Sequence, residues 1–194
     1  MYLFFDVSAA GPVRNWNRPA NDPFNWPRLV HLSWLVYNQD RELIAQANDI
    51  IKPEGWTISE EVEEKHKITP EMAENGVPLK EALERFSEQV GKATFVVAHN
   101  MKFNSSIVGA EFYRKGMKNV LEYSDNYCLM QEATWFCKIP GRGGKFKWPT
   151  LQQLHTKIFA GRFANNGEAL ADVSATVACA FALVDLEAIE FYED

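Results

Sequence analysis

The chain has 194 residues, of which 46% are hydrophobic and 24% are charged, and its formal net charge is −6. This length suits one domain with a sizeable core, so we expect a single domain over residues 1–194. The acidic balance excludes broad, non-specific coating of polyanions, although nucleic acid can still bind in a local cleft.

Targeting and redox signals predict a cytoplasmic protein. No apolar run approaches the roughly 20 residues of a membrane-spanning helix, and no basic leader with a cleavage site opens the chain. We therefore expect no membrane partner. Cys128, Cys137 and Cys179 are widely spaced and odd in number. This pattern indicates buried thiols in a reducing compartment rather than a disulfide framework or a Cys-x-x-Cys metal site.

Short apolar runs predict four strands. They cover residues 2–7, 29–37, 43–51 and 94–98, with the second and third separated by a polar turn. Residues 11–28 interleave prolines with aromatic side chains. This stretch is too long for a plain connection, so it predicts a surface lid or rim.

Helices are predicted mainly after the strands. Thr57 with Glu60 resembles a capping box, Pro70 suits the first turn of a short helix, and residues 78–91 place apolar side chains on one helical face. Further helices are predicted over 101–115, 128–137, 150–159 and 169–186. This order predicts an α/β domain whose sheet mixes antiparallel and parallel pairs.

The first strand carries the first candidate for chemistry. Its apolar run ends in Asp6, and small residues follow. Many metal-dependent nucleases begin with a buried strand that places a carboxylate at its carboxyl end. Such a site needs a second carboxylate two residues later, where this chain has Ser8.

Three segments carry a family resemblance. Residues 4–11, 97–104 and 169–176 resemble the three motifs of the DnaQ-like DEDDh 3′–5′ exonucleases. They occur in family order at a strand end, a strand-to-helix turn and a helix start, and the resemblance extends over about residues 2–187. It implies a ribonuclease-H-like α/β fold, with a mixed five-stranded sheet flanked by helices.

The departures from the family pattern concern catalysis. Ser8 replaces a glutamate, Asn104 replaces an aspartate, and Gly167 replaces the histidine that lies five residues before the last aspartate. Only Asp6 and Asp172 remain at catalytic and metal-ligand positions. The family reaction uses two divalent cations, which repel each other and need several negative ligands. We expect one weakly held Mg²⁺ or Mn²⁺ at most, with neither bound under ordinary conditions.

The missing histidine would act as the general base, a function typically worth 10²–10⁴-fold in rate. The leading hypothesis is therefore a catalytically impaired pseudo-nuclease that binds nucleic acid or a protein partner. One alternative is an active exonuclease with a divergent site, in which Glu168 supplies the base. Another is a loss-of-function form of an ordinary exonuclease.

Candidate binding residues lie outside the carboxylate positions. The resemblance implies that His99 and Asn100 organise the site and nearby substrate, although they also suit a turn and a helix cap. Phe103 suits either base stacking or core packing. A last alternative is a structural interaction module that does not bind nucleic acid and whose 11–28 loop docks a protein.

One basic segment stands out in this acidic chain. It combines Phe146 and Trp148 with four cations and several glycines, a combination used by sequence-tolerant grooves for single-stranded nucleic acid. The alternative is a flexible loop whose two aromatic side chains enter the core. The cations are Lys138, Arg142, Lys145 and Lys147.

Overall fold

The computed structural model describes residues 1–164 and 169–191. Its five strands form one sheet in the order β3-β2-β1-β4-β5. Strand β2 is antiparallel to both β1 and β3, whereas β4 is parallel to both β1 and β5. The predicted mixed five-stranded sheet is confirmed. The strands are β1 (Tyr2–Ala9), β2 (Leu29–Tyr37), β3 (Leu43–Ile50), β4 (Phe95–Ala98) and β5 (Asn126–Cys128).

Helices flank this sheet and follow the strands much as predicted. Among the described residues, none of the helices has both the length and the apolar character needed to cross a bilayer. The helices are α1 (Glu60–His66), α2 (Pro70–Glu74), α3 (Leu79–Val90), α4 (Met101–Arg114), α5 (Leu129–Glu132), α6 (Thr134–Cys137), α7 (Leu151–Phe159) and α8 (Ala169–Asp185), with short 3-10 turns at Val120–Tyr123 and Arg142–Gly144.

The side chains of β1 alternate between two hydrophobic cores. Leu3, Phe5 and Val7 pack in the core that includes buried residues of α3 and α4. Phe4 packs in the core that includes the apolar side of α8. Because successive side chains point to opposite faces of a strand, Asp6 shares the α8 face with Phe4.

The predicted capping box at Thr57 is wrong. Helix α1 begins at Glu60, and its N-cap is Ser59, whose hydroxyl accepts a hydrogen bond from the Val62 N–H. Serine and threonine both favour this position, so sequence spacing alone chose the wrong hydroxyl.

The helix predicted over residues 128–137 is also wrong in part. Cys128 ends β5, which pairs with β4. Two short helices follow and meet at Ala133. A strand of three residues shows no readable alternation, and only its pairing with β4 defines it.

The 11–28 stretch is a surface rim fixed at several points. It contains neither helix nor strand. Its Trp26 is buried and donates its indole N–H to the Pro19 carbonyl over 2.9 Å. Arg114 of α4 donates to the carbonyls of Pro23 and Trp26. These contacts fasten the rim to α4.

Candidate active-site cleft

Two carboxyl groups meet where α8 crosses the end of β1. Burial, together with the nearby negative charge of Asp172, raises the pKa of Asp6 well above its ordinary value. Burial also raises the pKa of Asp172 to about 6. The Oδ1 atom of Asp172 is buried and has no hydrogen-bond partner within residues 1–164 and 169–191. The pair therefore forms a poorly solvated acidic site, and no cationic side chain among residues 1–164 and 169–191 lowers either pKa.

Asn104 lies beside this pair, but its amide is committed to the backbone. Its Oδ1 accepts the Val7 N–H over 3.0 Å, and its Nδ2 donates to the carbonyls of His99 at 3.0 Å and Asn100 at 3.4 Å. The nearby Asn104 side chain offsets part of the rise in the pKa of Asp6. The amide thus bridges β1 and the β4–α4 turn, a role that needs both an acceptor and a donor.

Ser8 completes the part of the site that the structure describes. It is buried two residues beyond Asp6, so strand alternation places both side chains on the α8 face. Gly167 and its neighbour Glu168 lie outside the described residues. Asp6, Ser8, Asn104 and Asp172 therefore belong to one region at the carboxyl end of β1.

His99 and Asn100 both have structural contacts at the β4–α4 turn. The His99 Nε2–H donates to the Pro149 carbonyl over 3.1 Å, and burial lowers the pKa of His99 to about 4. This imidazole is therefore neutral at pH 7. Asn100 adopts a left-handed conformation and caps α4 through the Phe103 N–H. Asparagine tolerates that conformation better than most residues.

Phe103 stands between the cleft and the rim. It is partly buried against the α3–α4 core, and its ring lies 6.1 Å from the ring of Trp16. Trp16 also packs edge-on against Trp26, at 6.2 Å. The aromatic rim therefore reaches the first turn of α4.

The residues of the cleft do not fit a pair of divalent cations. Within the described chain, no three His, Cys, Asp or Glu side chains are grouped closely enough to hold a metal ion. The Asn104 amide oxygen already accepts a backbone N–H. Asp6 and Asp172 could hold one hydrated Mg²⁺, since this ion often uses one or two carboxylates plus waters.

A basic lobe, residues 138–148, adjoins the cleft. The Gly141 N–H donates to the Lys145 carbonyl and the Lys147 N–H to the Ile139 carbonyl, so the lobe folds back on itself as a small hairpin. The lobe's four cationic side chains are exposed, and none forms an ion pair among the residues that the structure describes. Their charge is available to a ligand.

Aromatic side chains stand on the same surface. Phe146 and Trp148 are 36% and 58% exposed, so the alternative that both enter the core is wrong. Trp135 of α6 is 74% exposed and packs edge-on against Phe146 at 5.3 Å. The sequence analysis did not single out Trp135. A helix of four residues has too little periodicity to show which side chain faces outward.

The sequence around this surface is strongly one-sided in charge. Residues 133–167 contain six of the chain's 20 Lys and Arg residues and none of its 26 Asp and Glu residues. The bond from His99 to the Pro149 carbonyl joins this basic region to the cleft. The bond therefore holds the segment after the lobe against the β4–α4 turn, whose carbonyls also accept from Asn104.

A family model assigns the chain to an exonuclease family. The family model for exonucleases of the RNase_T type matches residues 33–179, and the chain belongs to this DnaQ-like family. No curated protein matches the sequence significantly.

Solved structures share the fold at low sequence identity. E. coli exonuclease I in complex with a dT13 oligonucleotide superposes with a TM-score of 0.69 at 19% identity, over 94% of this chain and 40% of that one. A zinc-bound form of the E. coli exonuclease I complex with single-stranded DNA gives 0.71 at 19%, over 95% and 40%. The nuclease domain of 3′hExo, a DEDDh family member bound to rAMP, gives 0.72 at 11%, over 95% and 91%. The chain thus spans 40% of the length of the exonuclease I structures.

Proposed function

We propose that this chain is a non-hydrolysing exonuclease-fold domain that holds single-stranded nucleic acid across the cleft and the basic lobe. The observation that supports this proposal best is that the cleft contains few side chains able to bind a metal. Asp6 and Asp172 form a half-buried acidic pair with raised pKa values, and Asn104 is engaged with the backbone. Binding groups are plentiful there, whereas metal-ligating groups are few.

The loss of hydrolysis follows from the chemistry of the remaining side chains. Two cations would need more negative ligands than Asp6 and Asp172 provide, because Ser8 and Asn104 are neutral. Gly167 has no side chain to remove a proton from water. Metal ligands and a base act as a unit, so losing both abolishes most of the rate. Whether the losses are natural or engineered does not alter this chemistry.

Strand binding follows from the lobe. Its unpaired cations suit phosphates, and its exposed rings suit bases, whose stacking on aromatic side chains is sequence-tolerant. Neutral Ser8 and Asn104 also remove negative potential that would repel a phosphate. The dT13 complex of E. coli exonuclease I supports a single strand as the ligand of this fold.

Strand binding is expected to depend on the lobe cations and on salt. With four phosphate contacts, the logarithm of the association constant should fall with log salt at a slope of about −3 for a single strand. Reversing Lys138, Arg142, Lys145 and Lys147 to glutamate should weaken binding at least about 100-fold. Fluorescence anisotropy with labelled 12-mers measures both effects.

The matched control reverses four cations that are paired elsewhere on the surface: Arg18, Lys52, Lys80 and Lys92. It changes the net charge equally and should leave strand binding within about threefold of wild type. Equal losses in the two quadruple variants would show that only net charge matters, contrary to the proposal.

Incubation with 3′-labelled DNA or RNA strands and Mg²⁺ or Mn²⁺ should give no shortening above background. Asp6→Ala serves as the contamination control, because a trace nuclease would persist in that preparation. Rapid shortening that disappears in Asp6→Ala would establish the active-exonuclease alternative, and Glu168→Gln would then test the substitute base.

A second candidate function is docking of a protein partner on the rim. Phe24 is 85% exposed on a rim that Arg114 and Trp26 hold in place. A fixed, exposed aromatic ring is typical of interface anchors. This candidate takes precedence if the wild-type protein fails to bind any single strand.

A further inference from the structure

A groove of about 450 Å³ lies between α6, the basic lobe and α7. Its volume falls within the roughly 300–1,000 Å³ of small-ligand sites. It is separate from the carboxylate pair, and no role above uses it. The lining residues are Cys137, Ile139, Gln152, Gln153, Thr156, Lys157 and Arg162.

The groove has one amide free to meet a ligand. Gln153 is occupied in the capping box of α7 with Thr150. Gln152 donates one N–H to the Thr156 hydroxyl over 3.3 Å. Within the described residues, this contact leaves the Gln152 Oε1 and its second N–H without partners. The hydrogen bond also orients the amide along α7.

The rest of the groove combines apolar walls with two cationic side chains at its edge. Ile139 and Cys137 supply the walls, and burial raises the pKa of the Cys137 thiol, which keeps it uncharged. Lys157 and Arg162 are exposed at the edge of the groove, and residues 133–164 contain no Asp or Glu. A flat apolar ring with a polar edge and a flanking phosphate matches this lining.

We propose that the groove receives one nucleobase of the bound strand and that Gln152 favours adenine. This inference rests on the proposed strand binding and extends it to base preference. A glutamine amide can pair with adenine in a bidentate manner, accepting from N6 and donating to N7. The corresponding edge of thymine carries the O4 acceptor and a methyl group and has no donor. Lys157 and Arg162 contact the adjoining phosphates.

The test compares two labelled strands, dT12 and the same strand with one internal adenine. A single adenine avoids the self-stacking of an all-adenine strand. Wild type should bind the adenine strand about tenfold more tightly. Gln152→Ala should abolish this preference while leaving affinity for dT12 within about twofold, because alanine suits the helix well. The control is Gln131→Ala, an exposed glutamine of α5 outside the groove.

Lys157→Gln combined with Arg162→Gln should weaken both strands about equally and preserve the adenine preference. Equal wild-type affinity for the two strands overturns the inference but leaves strand binding intact. A preference that survives Gln152→Ala also overturns it. Absence of wild-type binding to either strand overturns both the inference and the proposed function.

Discussion

Removing one carboxylate from the half-buried Asp6–Asp172 pair should stabilise the protein at neutral pH. The folded state raises the pKa of Asp6 well above its ordinary value and that of Asp172 to about 6. Folding therefore favours their protonated forms. Between the unfolded pKa of about 4 and the folded values, the native state binds more protons, so stability is lost as pH rises.

The free energy of unfolding should fall by about 1–2 kcal/mol between pH 5 and pH 7.5, after allowance for the partial exposure of Asp172. Asp6→Asn removes the like charge. It should flatten this dependence and exceed wild type by about 1–2 kcal/mol at pH 7.5, with little difference at pH 5. Urea unfolding at the two pH values measures the effect.

Asp40→Asn is the control, since Asp40 is an exposed aspartate in the turn after β2. It should leave the pH dependence unchanged. If Asp6→Asn instead proves less stable than wild type at pH 7.5, the Asp6 carboxylate is held by favourable hydrogen bonds. The idea of an uncompensated acidic pair would then be wrong.

The Asp6–Asp172 pair is therefore expected to lower the stability of the folded protein slightly at neutral pH. In a buried site, two nearby carboxylates favour a shared proton or a bound cation. The neutral Asn104 side chain offsets part of the rise in the pKa of Asp6. Ser8 and Asn104 are neutral where the family has carboxylates. They therefore reduce the negative charge that the fold must accommodate when two metal ions are not bound.

The sequence predicted those parts of the site that local backbone geometry determines. Asp6 lies in the second half of an apolar strand, Asn104 follows a strand-to-helix turn, and Asp172 lies in the first turn of a helix. Each motif therefore locates its own residue. Their meeting in one cleft was implied by the family resemblance, because the distances between them depend on the whole sheet.

Features that arise from long-range contacts were not predicted. Strand β5 is defined by its pairing with β4, and the exposure of Trp135 depends on how α6 packs. The hydrogen bonds from Asn104 to the His99 carbonyl and from Val7 to Asn104 cross between elements. Composition and periodicity carry no information on such partners.

Asn104→Asp alone should destabilise the protein strongly. The new carboxylate would face the carbonyls of His99 and Asn100 without a proton to donate, beside the acidic pair. Breaking two partly buried hydrogen bonds and placing a charge on the buried side chain of residue 104 should cost about 3 kcal/mol or more. Thermal and urea unfolding measure this loss, and Asn21→Asp, on the exposed rim, should cost less than about 0.5 kcal/mol.

Mn²⁺ should stabilise the protein when the missing metal ligands and the missing base are restored together. Ser8→Glu, Asn104→Asp and Gly167→His would restore the four carboxylates and the histidine of the family pattern. Mn²⁺ should then offset the buried charge, and Mn²⁺ at 100 times its dissociation constant should stabilise the triple variant by about 2.7 kcal/mol. Wild type should show at most a weak effect.

The same triple variant should regain metal-dependent shortening of 3′-labelled strands, whereas each single substitution stays inactive because the groups act as a unit. Chelation of Mn²⁺ should lower both activity and melting temperature. A triple variant that folds and binds Mn²⁺ tightly yet remains inert would show that the cleft no longer positions a strand for attack.

For the single variant, Asn104→Asp with the same stability as wild type in the absence of metal would contradict the bridging role of the Asn104 amide.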